Sequence, residues 1–179
     1  MTEVPTPVDP EVAAVTFSSH LLDFFAHGRP TREAGWATFS LDPLHAIVIV
    51  PACRQDGGVD PYFVRLGATC YDLWPPSAAF VEPVAPGGWQ ESPASSLWWP
   101  RINGAPFSFG LHNPYQYPDG QQRQLLCFSH TLDYYLSNHS PTSEERWRAG
   151  THTLSATLNR LAEVLRRPYY QSRSGGNNS

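Results

Sequence analysis

A chain of 179 residues with a formal charge of −4 and no basic block is most simply one domain, long enough to bury a substantial core. That charge argues against nucleic acid or an anionic membrane as the main partner, and the longest apolar run, Ala46-Ile47-Val48-Ile49-Val50, falls far short of a bilayer span. Three cysteines at unrelated spacings, Cys53, Cys70 and Cys127, make no disulfide framework, so the expected setting is reducing and cytoplasmic.

Residues 1–8 (MTEVPTPV) read as a flexible leader without the basic segment of a signal or transit peptide. Asp9-Pro10-Glu11 then opens a helix: Asp9 suits the cap, Pro10 the first helical position and Glu11 the positive dipole end. Val12, Val15, Ser19, Leu22 and Phe25/Ala26 share one face, and Gly28 before Pro30 ends the helix. From Trp36 the pattern turns to strands. "WATFSL", "LHAIVIVPA", "PYFVRLGATCY" and "SAAFVEP" are β-branched and aromatic, and the Asp-Gly-Gly connection after Cys53 is of hairpin type.

Residues 84–106 read as a loop whose Trp89, Trp98 and Trp99 plug the edge of a core. A short helical turn is expected around Leu132–Leu136, and a final helix over Thr151–Arg167, where Leu154, Leu158, Leu161 and Leu165 form one stripe closed by Pro168. Residues 9–170 make up the domain; residues 171–179 are disordered by composition.

The chemistry centres on "HNPYQYPDGQQRQLLCFSH", residues 112–130. Cys127 reads either as a small buried hydrophobe or as a nucleophile, which needs a partly exposed thiol near positive charge or donors. A zinc site is a further reading, with Cys127, His130, His112 and His139 as ligands, although one short Cys-x-x-His pair is less than the usual paired signature. A Cys/His hydrolase would need an oriented base and an oxyanion hole, and no elbow motif surrounds the cysteine. Asn138-His139-Ser140 matches a glycosylation acceptor, irrelevant in a cytoplasmic chain. No P-loop, GxGxxG, HExxH or EF-hand pattern occurs, so no cofactor is expected. All twelve basic residues are arginine. GC-rich codon usage accounts for that, as does avoidance of nucleophilic amines near an activated acyl group.

In order along residues 9–170, four segments resemble the ubiquitin-conjugating enzyme (UBC) family. "PYFVRLGATCYDLWPPSAAFVEP" is similar to its second and third strands with a Pro-Pro turn. "HNPYQYPDG" is similar to its His-Pro-Asn segment and Tyr-Pro-x-Gly turn. "CFS" takes the position of the active-site cysteine, and "RWRAGTHTLSATLNRLAEVLRRPYY" that of its Trp and Leu-rich helix. The resemblance implies an α+β UBC-like fold with an N-terminal helix, a four-stranded antiparallel meander and C-terminal helices. It is strongest to divergent bacterial proteins of ubiquitin-like conjugation operons. His112-Asn113-Pro114 inverts the last two residues of the family's tripeptide, and "QQRQ" lengthens the approach to the cysteine.

The implied chemistry is acyl transfer. Cys127 would accept the C-terminal acyl group of a ubiquitin-like protein from an activating enzyme and pass it to an acceptor amine. By the same resemblance Asn113 is the oxyanion donor and His112 holds the segment; from their position after the cysteine, His130 or Asp133 is expected to orient or deprotonate the amine. The alternatives are a catalytically silent UBC-like binding module and, third, a zinc-binding domain. No metal is implied by the main reading.

Overall fold

Asp9 caps the first helix as its position suggests, its Oδ1 accepting the N–H groups of Glu11 at 3.0 Å and Val12 at 3.2 Å. In the computed structural model, which describes residues 4–27, 34–137 and 139–175, that helix (α1) runs Pro10–His27. The expected Gly28–Pro30 stop lies outside the described residues. The buried face is not the one the spacing suggested: Ala13, Phe17 and Phe24 point inward, and Val12, Val15 and Leu22 are exposed. Apolar residues ring much of this helix, and ring packing decides which face goes in. Phe17 meets Tyr71 edge-on at 5.9 Å and Phe24 meets Trp36 at 5.5 Å.

Five strands follow, β1 (Ala37–Asp42), β2 (His45–Cys53), β3 (Val59–Gly67), β4 (Ser77–Val84) and β5 (Gly88–Glu91), paired antiparallel in chain order. Alternation sends Ala46, Val48, Val50 and Ala52 of β2, Tyr62, Val64 and Leu66 of β3, and Ala78 and Phe80 of β4 into one core. Over it lies the helix Leu154–Val164, whose Leu154, Leu158 and Leu161, with Leu165 beyond its end, are fully buried. The opposite sheet face is covered by rings: Phe63 lies 4.9 Å from both Trp89 and Trp98, and Phe39 5.5 Å from Trp89.

The expected α+β UBC-like architecture is overturned. Among the described residues the chain is mostly β, with a five-stranded sheet, two further two-stranded sheets and helices of only 18, 5 and 11 residues. Residues 84–106, read as a loop, hold β5 and β6 (Pro100–Ile102). The cysteine segment is a hairpin of β7 (Gly110–Gln116) and β8 (Gln122–Cys127), followed by α2 (Leu132–Leu136) and, after α3 (Leu154–Val164), by β9 (Tyr170–Arg173). The cause is local. Strands as short as "GWQE" and "YQSR" carry too few alternations to show a period of two.

The stretch expected to be disordered begins with an ordered strand, β9, which pairs with β6 and is tied to a buried carboxylate; residues 176–179 lie outside the described residues. Tyr170 donates to Asp60 Oδ2 at 2.7 Å, Arg173 Nε donates to Asp60 Oδ1 at 3.1 Å, and the Tyr62 hydroxyl lies 2.9 Å from that of Tyr170. With the Tyr170 proton given to Asp60, Tyr62 is the donor of that last bond.

The hairpin reaches the main sheet through one side chain. Gln124, 4% exposed, accepts the Phe80 N–H on Oε1 at 2.9 Å and donates from Nε2 to Phe80 O at 2.8 Å and Ser92 O at 2.9 Å. Its amide thus does for β4 what a neighbouring strand's backbone would do. Removing it leaves the Phe80 N–H unpaired, at ~1–3 kcal/mol, while Phe80 O keeps the Ser92 N–H and Ser92 O keeps Asn113 Nδ2. We expect Gln124→Ala to lower the unfolding free energy by about 2 kcal/mol. Gln122→Ala, on the exposed part of the same strand, should change it by less than about 0.5 kcal/mol. Urea midpoints with unchanged m-values check both.

Candidate active site

Cys127 is the last residue of β8, three beyond the Gln124 anchor, and lies directly across the ladder from Gly110. The chain then turns sharply: Thr131 donates from its hydroxyl to Leu126 O at 2.7 Å and Phe128 O at 3.0 Å, leading into α2. α2 returns the chain toward the cysteine. His139, three residues past its end, places Nε2 3.7 Å from Cys127 Sγ.

The hydrogen bonds fix the tautomer of His139. Ser137 Oγ lies 2.8 Å from Tyr134 O, a carbonyl that can only accept, so the serine proton goes there. The 2.7 Å contact of Ser137 Oγ with His139 Nδ1 is therefore donated by Nδ1–H. That leaves the Nε2 lone pair facing the thiol. Tyr134 flanks the imidazole, ring centres 5.0 Å apart and tilted by 32°, and Tyr115 donates to Ser137 O at 3.2 Å, tying the segment to β7. The arrangement is a cysteine, a base and a group that orients the base.

Burial pushes the Cys127 thiol above its ordinary pKa. The thiol therefore favours its S–H form. Thiolate forms as the proton moves to Nε2.

The residues expected to surround Cys127 are spread more widely. His112 is nearby: its ring folds over Gly110, on the cysteine's side of the hairpin. Asn113 sits where the β7–β8 register shifts, and its Nδ2 donates to Ser92 O at 2.8 Å, the carbonyl that Gln124 also uses. One of its two amide N–H groups thus anchors the hairpin to the segment after β5. His130 packs elsewhere, 5.0 Å from His152 and 6.0 Å from Trp147 by ring centres. Desolvation, with His152 and Arg160 nearby, pulls it down to about 4, so it is neutral near pH 7.

Asp133 faces away from the thiol's partners on α2. Its Oδ2 accepts the Ala78 N–H at 3.2 Å, and it lines a cavity of about 260 Å³ with Arg65, Glu91 and Arg123. Burial raises it to about 6 against the lowering effects of the Ala78 N–H and Arg123.

The zinc arrangement is not assembled. Cys127 and His139 meet, but His130 is turned into the Trp147 cluster, and among the described residues no group of three His, Cys, Asp or Glu side chains is placed to hold a metal ion. In the sequence His139 suggests only a zinc ligand, and nothing marks Ser137. The available signal was a histidine soon after a short aromatic helix that follows the cysteine. No protein-family model matches the chain, and no curated protein matches it. No helix among the described residues is long and apolar enough to cross a membrane.

His130 and Asp133 impose opposite pH dependences on stability. For His130 the folded value (about 4) lies below the ordinary 6.5, so its contribution is full above pH 6.5 and is lost as pH falls toward 4. For Asp133 the folded value (about 6) lies above 3.8, so its contribution is full below pH 3.8 and is lost as pH rises through 6. Between pH 4 and 6 the two offset each other. Relative to the parent protein, Asp133→Asn should gain stability as pH rises across that window, and His130→Gln should lose it. Urea midpoints at the two ends of the window check the signs.

Proposed function

We propose that the protein is a cysteine-dependent acyl-transfer protein, in which Cys127 takes up an acyl group as a thioester and passes it to an amine. The observation that carries this reading is the Cys127 Sγ–His139 Nε2 contact with the lone pair oriented by Ser137. His139 removes the thiol proton, the thiolate attacks the acyl carbonyl, and the imidazolium returns the proton to the leaving group. A positioned base of this kind is worth ~10²–10⁴ in rate.

The donor we propose is the one the sequence resemblance implies, the C-terminus of a ubiquitin-like protein delivered by an activating enzyme. A chain without lysine also suits a thioester carrier, because it offers no side-chain amine for self-acylation. A silent binding module is the second reading, favoured by the burial that holds the Cys127 thiol protonated.

The test incubates the protein with a charged activating enzyme and its ubiquitin-like partner. A thiol-sensitive adduct should form, vanish in Cys127→Ala, and form about 10²-fold more slowly in His139→Ala. No adduct from a demonstrably charged activating enzyme would favour the silent module. The raised thiol pKa adds a second measure: the rate of Cys127 alkylation by iodoacetamide should still be climbing with pH above ~8.5, where an ordinary cysteine begins to level off.

A further inference from the structure

Gly110 and His112 are two residues apart on β7 and so project to the same face, while Leu111 between them packs toward the core. Gly110 is also the cross-strand partner of Cys127. A Cβ built on Gly110 would stand 3.0 Å from His112 Nε2 and 3.6 Å from Cys127 Cβ. The bare Cα therefore leaves the space that a methyl group would fill against both His112 Nε2 and Cys127 Cβ. His139 reaches the sulfur from the segment after α2, while His112 stands beside Gly110, the cysteine's cross-strand partner on β7.

From this we infer that His112 is a catalytic residue of the acyl transfer, its Nε2–H donating to the carbonyl oxygen of the acyl group as Cys127 attacks, and that Gly110 is kept bare to seat that carbonyl. The inference rests on the acyl-transfer reading above. Attack forms the S–C bond and moves the carbonyl π pair onto oxygen, which accepts the His112 hydrogen bond. Collapse restores the C=O bond and expels the donor's thiolate, which takes the proton held by His139. Asn113 directs its side-chain amide at Ser92 O, where it ties the hairpin to the segment after β5.

Two reactions of the same thiol separate this role from a structural one. Alkylation by iodoacetamide needs the thiolate but develops no oxyanion; acylation by an aryl thioester such as S-phenyl thioacetate needs both. Both are followed at Cys127 by peptide mass spectrometry on the full chain, with exposed Cys53 as internal reference. His112→Ala should alkylate within about twofold of the parent yet acylate ~10²-fold more slowly, the usual loss for one oxyanion donor. His112→Gln, which keeps an N–H donor, should recover part of the acylation rate. Gly110→Ala, whose backbone conformation is open to alanine, should slow acylation and spare alkylation.

Acylation of His112→Ala at the parent rate would overturn the assignment. So would an equal loss of alkylation, which would make His112 a residue that merely shapes the thiol's surroundings. A parent Cys127 that acylates no faster than Cys53 would overturn the acyl-transfer reading itself. The two failures are therefore distinct.

Discussion

The amide of Gln124 is the constraint on which the site depends. The five-stranded sheet ends its ladder at β5, which pairs with β4 only from Val81 to Val84. Beyond that point Phe80 would present a buried N–H without a strand to meet it, at a cost of ~1–3 kcal/mol. Gln124 supplies the missing acceptor, and its N–H group reaches Phe80 O and Ser92 O. The backbone N–H of Gln124 is held in turn by Glu91 Oε2 at 3.2 Å. β8 is thereby locked against β4 three residues before Cys127. Asn113 adds a second tie to Ser92 O from β7, so both strands of the hairpin are anchored by side chains of the kind usually sought in catalysis.

That anchoring explains what was legible in the sequence and what was not. The four strands from Trp36 to Pro83 carry the alternation that a half-buried sheet imposes, and they stand out. α3 shows its leucine stripe for the same reason, with Leu154, Leu158 and Leu161 all inward. β5, β6 and β9 are too short to have a period, and their pairing is decided by Trp89, Trp98 and the Asp60 network, whose members lie over a hundred residues apart in sequence. The UBC-like architecture expected from motif order failed because order along a chain constrains neither strand count nor pairing.

At the site, the cysteine itself was legible, since a thiol at the end of an apolar run invites attention. Its partner was not. His130 stands three residues from Cys127 in sequence, yet the turn made by Thr131 carries it to the Trp147 cluster. His139 is twelve residues away and α2 brings it back. Proximity in sequence misled because a strand end followed by a tight turn sends successive side chains in different directions.

The five residues of α2 do not make a self-sustaining helix. It is held from outside: Leu132 N–H donates to Pro76 O at 3.0 Å, Asp133 takes the Ala78 N–H, and Tyr135 donates to Ser129 O at 3.0 Å while accepting the Trp147 N–H at 2.9 Å. Its two sides then face different surroundings. One carries Asp133 toward the cavity shared with Arg65, Glu91 and Arg123; the other carries Tyr134 and Ser137 toward His139. A carboxylate whose pKa burial raises to about 6 is therefore part of what seats the element that orients the base. The base and the sheet thus meet through a helix that neither could hold alone, and the geometry at Cys127 is a property of β4, β8 and α2 together.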